Sequence, residues 1–406
     1  MRKSVGLPVC SCSAFMLAGA VMLAQAASPP AQSGKGTKFH VVYVFQGGTD
    51  ASSPIGGLIS RGKIRYGTTY YGGANNLGTV YALAPGGKET VVYSFAGGSD
   101  GEGPQAPLLA DATGNLYGTT YYGGAGCGSV FKVTPRGKET VLYGFSCAGR
   151  TGASPTSGLI MDASGNLYST TYGGGTTDQG TVFKIASDGT ESVVYSFAGG
   201  SDGAYPAAPV IADAEGNMYG TTYGGGSAGL GTVFKISSDG TESVLYSFQG
   251  GSDGATPFTG LIMDAKGNLY GTTYTGGSSN CNGSGCGTVF ELATDGTETV
   301  RYSFQGGSDG MYLDGPLTAD KKGNLYGSTL YGGNIADCSK NGCGMVFRLA
   351  TDGTRTVLHE FTGSDGAQPG GTLLTDKTGE IYATTYNGGN TGCGGTGCGV
   401  IFKMKE

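Results

Sequence analysis

A phrase that returns seven times along the chain limits its possible folds more than any other feature. An aromatic-x-Phe segment ends at Phe45, Phe95, Phe145, Phe197, Phe248, Phe304 and Phe361, with spacings of 50 to 57 residues. A second phrase, typified by "NLYGTTY" from Asn115, keeps the same phase and also occurs seven times. Repetition with such a period is typical of solenoids and propellers, in which one supersecondary unit is used again and again.

One repeat is predicted to form four short strands. In the third copy they are "GLIMDA", "LYSTTY", "GTVFKIA" and "SVVYSF", at residues 158–163, 167–172, 180–186 and 192–197. Turns rich in Gly, Asn and Asp separate them, because these residues tolerate positive φ. Apolar residues alternate along the third and fourth strands, as they do where one strand face packs on a core. Four-stranded units of this length are the signature of β-propeller blades.

The two ends of the chain predict a closed ring. The last repeat supplies three strands and stops at "GVIFKMKE", whereas "KFHVVYVF", from Lys38 to Phe45, matches a fourth strand without a blade of its own. The N-terminal strand can therefore complete the last blade, three strands from one end and one from the other. We predict an all-β, seven-bladed β-propeller with four-stranded blades over residues 38–406.

The N-terminus has the three-part pattern of a secretory signal peptide. Arg2 and Lys3 precede an apolar stretch from about Ala14 to Leu23, and Ala24-Gln25-Ala26 supplies a cleavage site. Residues 1–26 are predicted to be this signal, and residues 27–37 a disordered linker. We expect a secreted or periplasmic protein without a membrane span after cleavage, since the apolar run is too short for an anchor.

Eight cysteines lie beyond the predicted signal, and all of them can pair within a blade. Three pairs each flank four residues in front of a third strand: Cys281 with Cys286, Cys338 with Cys343, and Cys393 with Cys398. Cys127 holds the same position without an upstream mate, and the hairpin of its blade brings it opposite Cys147. A zinc site needs four ligands, and neighbouring pairs lie in different blades. We predict four disulfides, as an oxidising compartment allows, and no metal at these cysteines.

The repeated phrases also resemble a known family. "GNLYGTTYYGG", "GTVFKI" and "ETVVYSFAGGSDG" are similar to the bacterial GloVer tandem repeat, a propeller-type unit of exported proteins. The resemblance covers essentially the whole mature chain, and it implies a propeller in a secreted or surface protein. The family motif has no established catalytic residues, so the resemblance assigns a catalytic role to no residue of this sequence.

The loops between blades carry a recurring aspartate on the face where the longer loops gather. Six of the seven loops contain it: Asp50, Asp100, Asp202, Asp253, Asp309 and Asp365. One interpretation is a carboxylate ring that binds Ca²⁺ or a polyhydroxylated ligand, although calcium needs six to eight oxygens. The other is a turn in which each side chain accepts hydrogen bonds from nearby backbone N–H groups. We favour the turn, which explains every copy without a cofactor.

Two loops depart from this pattern. The loop "FSCAGRTGASP" has Arg150 near the position of the missing aspartate, and "GGSDGMYLDGP" adds Tyr312 and Asp314. A repeat protein can hold a unique site only where its copies differ, so these three residues join the six aspartates as candidate ligand contacts. Sequence drift under weak constraint is the alternative interpretation.

Tyrosines recur at two positions of the repeated "LYGTTY" strand. The first set is Tyr117, Tyr168, Tyr219, Tyr270, Tyr326 and Tyr382, and the second set is Tyr121, Tyr172, Tyr223, Tyr274 and Tyr386. A sugar could stack on such rings. Packing between blades, with the hydroxyls hydrogen-bonded to neighbours, is the simpler interpretation, and the absence of Trp weakens a lectin interpretation.

Composition excludes several classes of function. The formal net charge of −6 leaves no basic footprint for nucleic acid. Two histidines, both in fourth strands, do not form a Ser-His-Asp set. We predict a monomeric, non-enzymatic binding or surface-interaction module, with an extracellular glycan or a cell-surface protein as its partner. The alternative is a polysaccharide hydrolase or lyase that works from the Gly/Asp loop face.

Overall fold

Short strands alternate with glycine-rich turns and loops in the computed structural model, which describes residues 32–33, 36–148, 150–336 and 338–406. The predicted signal peptide lies outside the described residues. Hydrogen bonding sorts the strands into seven antiparallel sheets, which are the seven blades of the predicted β-propeller. The fold prediction is therefore confirmed.

The first three blades follow one another along the chain. The first blade contains Ile59–Arg61, Ile64–Thr69, Thr79–Leu83 and Glu89–Ser94. The second contains Leu109–Ala110, Leu116–Thr120, Gly126–Val133 and Glu139–Ser146, with Gly123–Gly124 beside its third strand. The third contains Ile160–Met161, Leu167–Thr171, Thr181–Ile185 and Glu191–Ser196.

The next three blades keep the same order of inner to outer strands. The fourth blade contains Ile211–Ala212, Met218–Thr222, Thr232–Ile236 and Glu242–Ser247. The fifth contains Ile262–Met263, Leu269–Thr273, Thr288–Leu292 and Glu298–Ser303. The sixth contains Thr318–Ala319, Leu325–Thr329, Met345–Leu349 and Arg355–Glu360. Single 3₁₀ turns occur in the loops at Gly98–Asp100, Gly251–Asp253, Gly307–Asp309, Cys338–Lys340 and Cys393–Gly395.

The seventh blade closes the ring with both ends of the chain. Three of its strands come from the C-terminal part of the chain, namely Leu374–Thr375, Ile381–Asn387 and Val400–Lys405, and Lys38–Val44 pairs with the last of these as the outer strand. The three-plus-one closure is thus confirmed. Ala367–Pro369, in the loop before the C-terminal strands, makes a short additional pairing with Ile381–Asn387. Within the predicted linker, Gln32–Ser33 pairs in parallel with the outer strand of the sixth blade.

The recurring phenylalanine at the end of each outer strand joins that blade to the next. Each of these rings is fully buried and meets an aromatic ring on the third strand of the following blade, edge to face, at centroid distances of 5.0 to 5.2 Å. The contact between Phe45 and Tyr81 joins the seventh blade to the first. Burial of one such ring stabilises the fold by roughly 2–3 kcal/mol, so the phrase recurs because every junction needs it.

The two threonines of "GTTY" have different roles, and the first of them contributes to the same junctions between blades. Thr68 donates a hydrogen bond across the junction to the carbonyl of Ala106 at 3.0 Å, and Thr119 does so to Ser157. The second threonine bonds within its own blade, as Thr69 does to Thr79 at 2.8 Å. These buried hydroxyls satisfy carbonyls that the short inner strands leave unpaired.

All eight cysteines beyond the signal form disulfides in the pairs that the sequence predicts. Cys127–Cys147 links the third and fourth strands of the second blade, and the three other bonds each close a loop in front of a third strand. Nowhere in the described ranges does a helix have the length and apolar character that a membrane crossing requires.

Candidate functional site

The recurring loop aspartates are held within their own loops. In five loops one carboxylate oxygen accepts a hydrogen bond from the hydroxyl of the outer-strand tyrosine, at 2.7 to 2.8 Å. The other oxygen accepts a hydrogen bond from the backbone N–H of the residue four positions earlier, at 2.5 to 2.8 Å. The aspartates of these five loops are Asp50, Asp100, Asp202, Asp253 and Asp309. Both oxygens therefore have partners without a ligand, which is the arrangement that the turn interpretation describes.

The remaining two loops use variants of this arrangement. Asp365 accepts the backbone N–H of Thr362 at 2.8 Å and faces the His359 ring nitrogen at 2.9 Å. In the loop after the second blade, which lacks the aspartate, the Thr151 hydroxyl accepts a hydrogen bond from the Tyr143 hydroxyl at 3.1 Å. Its neighbour Arg150 is exposed. The position of the lost aspartate is thus served by a threonine, and no hydrogen bond or ion pair joins the Arg150 side chain to another described residue.

A second carboxyl stands beside several of these aspartates, at the start of the outer strand of the next blade. The pairs are Asp50 with Glu89, Asp100 with Glu139, Asp202 with Glu242, and Asp253 with Glu298. Burial, reinforced by the neighbouring aspartate, raises the pKa of Glu139 and Glu242 to about 7 and of Glu89 and Glu298 to about 8. One oxygen of each glutamate is buried without a hydrogen-bond donor. A proton on the glutamate, donated to the aspartate, satisfies both groups.

The main concave site lies at the centre of the ring, on the face of the inter-blade loops. It is a cavity of about 770 Å³, and residues from all seven blades line it. Its rim is open, since Tyr223 is 38% and Phe258 37% exposed. Within the repeat, the walls come from two places: the last residue of "YGTTY" and the residues that lead into each inner strand. A cavity of this size accommodates a small molecule or the end of a chain.

Tyrosines dominate the wall of the cavity. Six of them line it: Tyr70, Tyr121, Tyr122, Tyr172, Tyr223 and Tyr274. Other rings hold some of them from behind, as Tyr205 stacks on Tyr172 at 5.1 Å and Tyr312 on Tyr274 at 4.8 Å. Burial raises the pKa of Tyr70 and Tyr274 to about 12, so their hydroxyls stay neutral donors. The candidate Tyr312 therefore supports the wall from behind.

The structure separates the two tyrosine sets that the sequence treats alike. Hydroxyls of the first set donate to an acidic residue in the turn of their own blade, as Tyr168 does to Asp162 at 3.1 Å. Four members of the second set line the cavity instead. The first set is therefore engaged within its own blade, and most of the second set faces the cavity. The one sequence signal of the second set was its place at the loop face, at most one residue before the Gly-Gly loop, in nearly every repeat.

Asp314 is the exception among the predicted loop candidates, because it lines the cavity. At the equivalent position the other blades carry Ile55, Gln105, Thr156, Ala207, Phe258 and Gly370, and all of these also line it. No other carboxyl and no Lys, Arg or His belongs to the described lining. Burial raises the pKa of Asp314 to about 7. Among the described residues, no side chain or backbone group donates a hydrogen bond to it.

Metal ligands do not gather in this cavity. In the part of the chain that the structure describes, no group of three or more His, Cys, Asp or Glu side chains is placed to hold a metal ion. Asp314 alone offers at most two of the six to eight oxygens that calcium takes. The chemistry of the wall is that of aromatic faces, phenolic hydroxyls and one carboxyl.

Comparison with known proteins agrees with this architecture. The family model described as the Gloeobacter/Verrucomicrobia repeat matches residues 31–215 and 199–396. No curated protein matches the chain. The four disulfides are typical of proteins that fold in an oxidising compartment.

Solved structures share the fold at low identity. Virginiamycin B lyase from Staphylococcus aureus is 13% identical with a TM-score of 0.58, over 91% of this chain and 99% of the lyase. The extracellular domain of a B. thetaiotaomicron protein described as a hybrid two-component system is 14% identical with a TM-score of 0.56. That match covers 90% of this chain and 41% of the other. At such identities the similarity concerns the fold alone.

Proposed function

This chain belongs to the Gloeobacter/Verrucomicrobia repeat family, and from that premise we propose that it is a secreted or periplasmic, non-enzymatic binding module whose central cavity takes a glycan. The observation that carries the proposal is the ring of tyrosines around the cavity of about 770 Å³. Four disulfides and the predicted signal peptide support the location.

The chemistry of the wall suits a saccharide. Aromatic faces from several blades offer flat apolar surfaces for the C–H faces of sugar rings, and phenolic hydroxyls add hydrogen bonds. Tyr172 and Tyr274 are held by stacking partners, Tyr205 and Tyr312. Rings that are fixed before binding lose little conformational entropy when a ligand arrives. No lysine or arginine belongs to the described lining, which favours an uncharged or cationic ligand over a polyanion.

The choice of a binding module over a hydrolase or lyase rests on the acid–base groups. Glycoside cleavage normally uses two carboxyl groups about 5 to 10 Å apart, and Asp314 is the one carboxyl of the described lining. The six loop aspartates engage their oxygens in their own loops or with His359. The described lining of the cavity therefore offers one carboxyl where glycoside cleavage normally uses two, which supports a binding module.

A glycan array combined with a polysaccharide turnover assay tests the proposal. We expect retention of at least one glycan without release of product. Tyr223→Ala should weaken that binding by about tenfold, since exposed aromatic contacts at binding sites are commonly worth over 1 kcal/mol. Ile335→Ala is the matched control, because Ile335 is 50% exposed in a loop but does not line the cavity. Product formation would establish an enzyme instead, and equal effects of the two variants would place the site elsewhere.

A further inference from the structure

We propose that Asp314 makes the central cavity selective for a saccharide that carries a free primary amine, so that the preferred ligand is a glycan with unacetylated amino sugar. This inference rests on the proposed function, because it names the ligand class of the same cavity. The observations behind it are the asymmetry of charge in the ring, the lack of a partner for the carboxyl, and the aromatic groups around it.

The asymmetry of charge is specific to one position. Seven equivalent residues ring the cavity, and six of them are neutral, from Gly370 to Phe258. Asp314 alone brings a carboxyl to the wall, and no basic side chain of the described lining opposes it. The cavity is therefore neutral around most of its circumference and acidic on one side. A ligand that matches this pattern is neutral over most of its surface and cationic at one point.

Among the described residues, the Asp314 carboxyl also has no hydrogen-bond donor of the kind that other acidic groups of this protein have. The loop aspartates accept at least two hydrogen bonds each, and turn aspartates such as Asp162 accept several. Asp314 is half-buried, and its pKa is raised by burial alone. An ionised carboxyl held away from water without a partner is costly. An ammonium group from a ligand offsets that cost with a charge-assisted hydrogen bond.

The neighbours of Asp314 suit an ammonium group. Burial is the main cause of the raised pKa of Tyr274, and the nearby negative charge of Asp314 is the second cause. The carboxyl of Asp314 therefore lies close to this ring. Tyr274 stacks on Tyr312, which fixes the ring beside the carboxyl. Cations are attracted to the faces of such rings. On the other side, Gly370 leaves room, since a Cβ there would lie 3.3 Å from a carboxylate oxygen of Asp314.

Other cations fit less well. Calcium requires more oxygens than one carboxyl and the phenols provide, and the described residues hold no metal-binding cluster. A simple aliphatic amine would use Asp314 but leave the rings at Tyr121, Tyr172 and Tyr223 without contacts. A saccharide with an amine engages the carboxyl and several rings together, and it suits a cavity of about 770 Å³.

Calorimetric titration with matched oligosaccharides tests the inference. The probes are the β-1,4-linked tetramer of glucosamine and the same tetramer fully N-acetylated, each added to the intact protein near neutral pH. We expect the amine form to bind the wild type about tenfold more tightly, the usual effect of one charge-assisted contact. Asp314→Asn should remove this preference, and Asp352→Asn should retain it. Asp352 is an exposed hairpin residue, so its loss changes the net charge equally.

The outcomes separate this inference from the proposed function. If both tetramers bind alike, lose affinity in Tyr223→Ala and ignore Asp314→Asn, the cavity binds glycans but Asp314 does not select them. If the preference for the amine form survives in Asp314→Asn, it arises from the overall acidity of the protein and the inference is overturned. If neither tetramer nor any glycan of the array binds, both proposals fail. Unchanged melting temperatures of the variants establish that they are folded.

Discussion

Two junctions between blades have loops of the same structure but differ in the residue that faces the loop aspartate, which is a carboxylic acid at one junction and an arginine at the other. Between the fourth and fifth blades, Asp253 lies beside Glu298, whose pKa burial and the aspartate raise to about 8. Between the fifth and sixth blades the equivalent partner is Arg355, which is 1% exposed and donates to Asp309 at 2.6 Å and to the Tyr302 hydroxyl at 3.0 Å. The loops themselves are alike, with the aspartate bound to a tyrosine and a backbone N–H in both.

The comparison shows that the repeated loop determines the shape of the junction. The first residue of the next outer strand, Glu298 or Arg355, determines the charge that the loop aspartate faces. A carboxyl pair is stable when it holds a proton, whereas the arginine pair is stable when both groups are charged. The carboxyl junctions should therefore weaken as pH rises, and the arginine junction should not. The following predictions test this difference, from the largest expected effect to the smallest.

Removal of the buried arginine should have the largest effect. Arg355→Met leaves Asp309 without its cation and should lower the free energy of unfolding by about 3–5 kcal/mol, the usual result of breaking a buried ion pair from one side. Chemical denaturation measures the change. Arg136→Met is the control, because Arg136 lies exposed in a hairpin and surface substitutions usually stay within about 0.5 kcal/mol. Equal losses in the two variants would contradict a special role for the buried pair.

A third kind of junction relies on a disulfide. The loop after the second blade lacks the aspartate, and Cys147 in that loop is bonded to Cys127 across 20 residues. Replacement of both cysteines by serine should cost about 3 kcal/mol, because the bond constrains a long loop of the unfolded chain. The same change at Cys393 and Cys398, 5 residues apart, should cost about 2 kcal/mol. A larger loss at the shorter loop, by denaturation, would contradict the loop-length explanation.

The carboxyl pairs predict that stability falls as pH rises. Their glutamates have pKa values raised in the folded protein to about 7 or 8 from the ordinary 4.5. The folded state therefore binds more protons than the unfolded chain across that window, so the free energy of unfolding decreases from pH 5 to pH 8. Melting temperatures across this range measure the effect. A rise over the same window would show that the glutamates are ionised in the folded protein.

A single substitution localises this effect. Glu298→Gln keeps a donor for Asp253 without a titratable proton, so it should stabilise the protein at pH 8 by roughly 1 kcal/mol and have little effect at pH 5. Glu191→Gln is the matched control: Glu191 occupies the equivalent position at the junction that lacks the aspartate, and burial raises its pKa while a hydrogen bond with Tyr143 acts in the opposite direction. A gain at Glu191 as large as at Glu298 would mean that the carboxyl pair contributes nothing beyond burial.

Calcium should have the smallest effect. A metal bridging Asp253 and Glu298 would explain the paired carboxyls differently, and it would remove the contrast with the arginine junction. The oxygens of Asp253 already accept bonds from Tyr246 and Gln249, so we expect no shift in melting temperature between millimolar calcium and chelator. A site that binds calcium in the folded state alone would raise the melting temperature as the ion concentration increases.

The local features of this fold were predictable from single repeats. The Gly-Asn and Asp-Gly turns and the alternation in "GTVFKI" act over a few residues, so one copy suffices to predict strands and hairpins. Closure by Lys38–Val44 was predictable because the last repeat lacks one strand. The disulfides were predictable because each joins neighbours within one blade.

The candidate site was predicted only in part. Asp314 was found because it breaks the repeat, and the structure places it in the cavity wall. The sequence named the cavity tyrosines but did not separate them from the first tyrosine set, since Tyr168 and Tyr172 differ in their surroundings only once the ring of blades exists. The carboxyl pairs were missed, because Asp253 and Glu298 belong to different blades.

The sequence by itself determined the number of blades, their strands, the closure and the disulfides, because hydrogen bonding, turn chemistry and short loops act within one repeat. The tertiary structure alone decided which repeated side chains face one another. That choice depends on how each blade packs against the next, which brings Asp309 to Arg355 and places Asp314 in an aromatic cavity where no described residue donates a hydrogen bond to it. Contacts of this kind follow from the packing of whole blades, and a pattern read along one strand does not contain them.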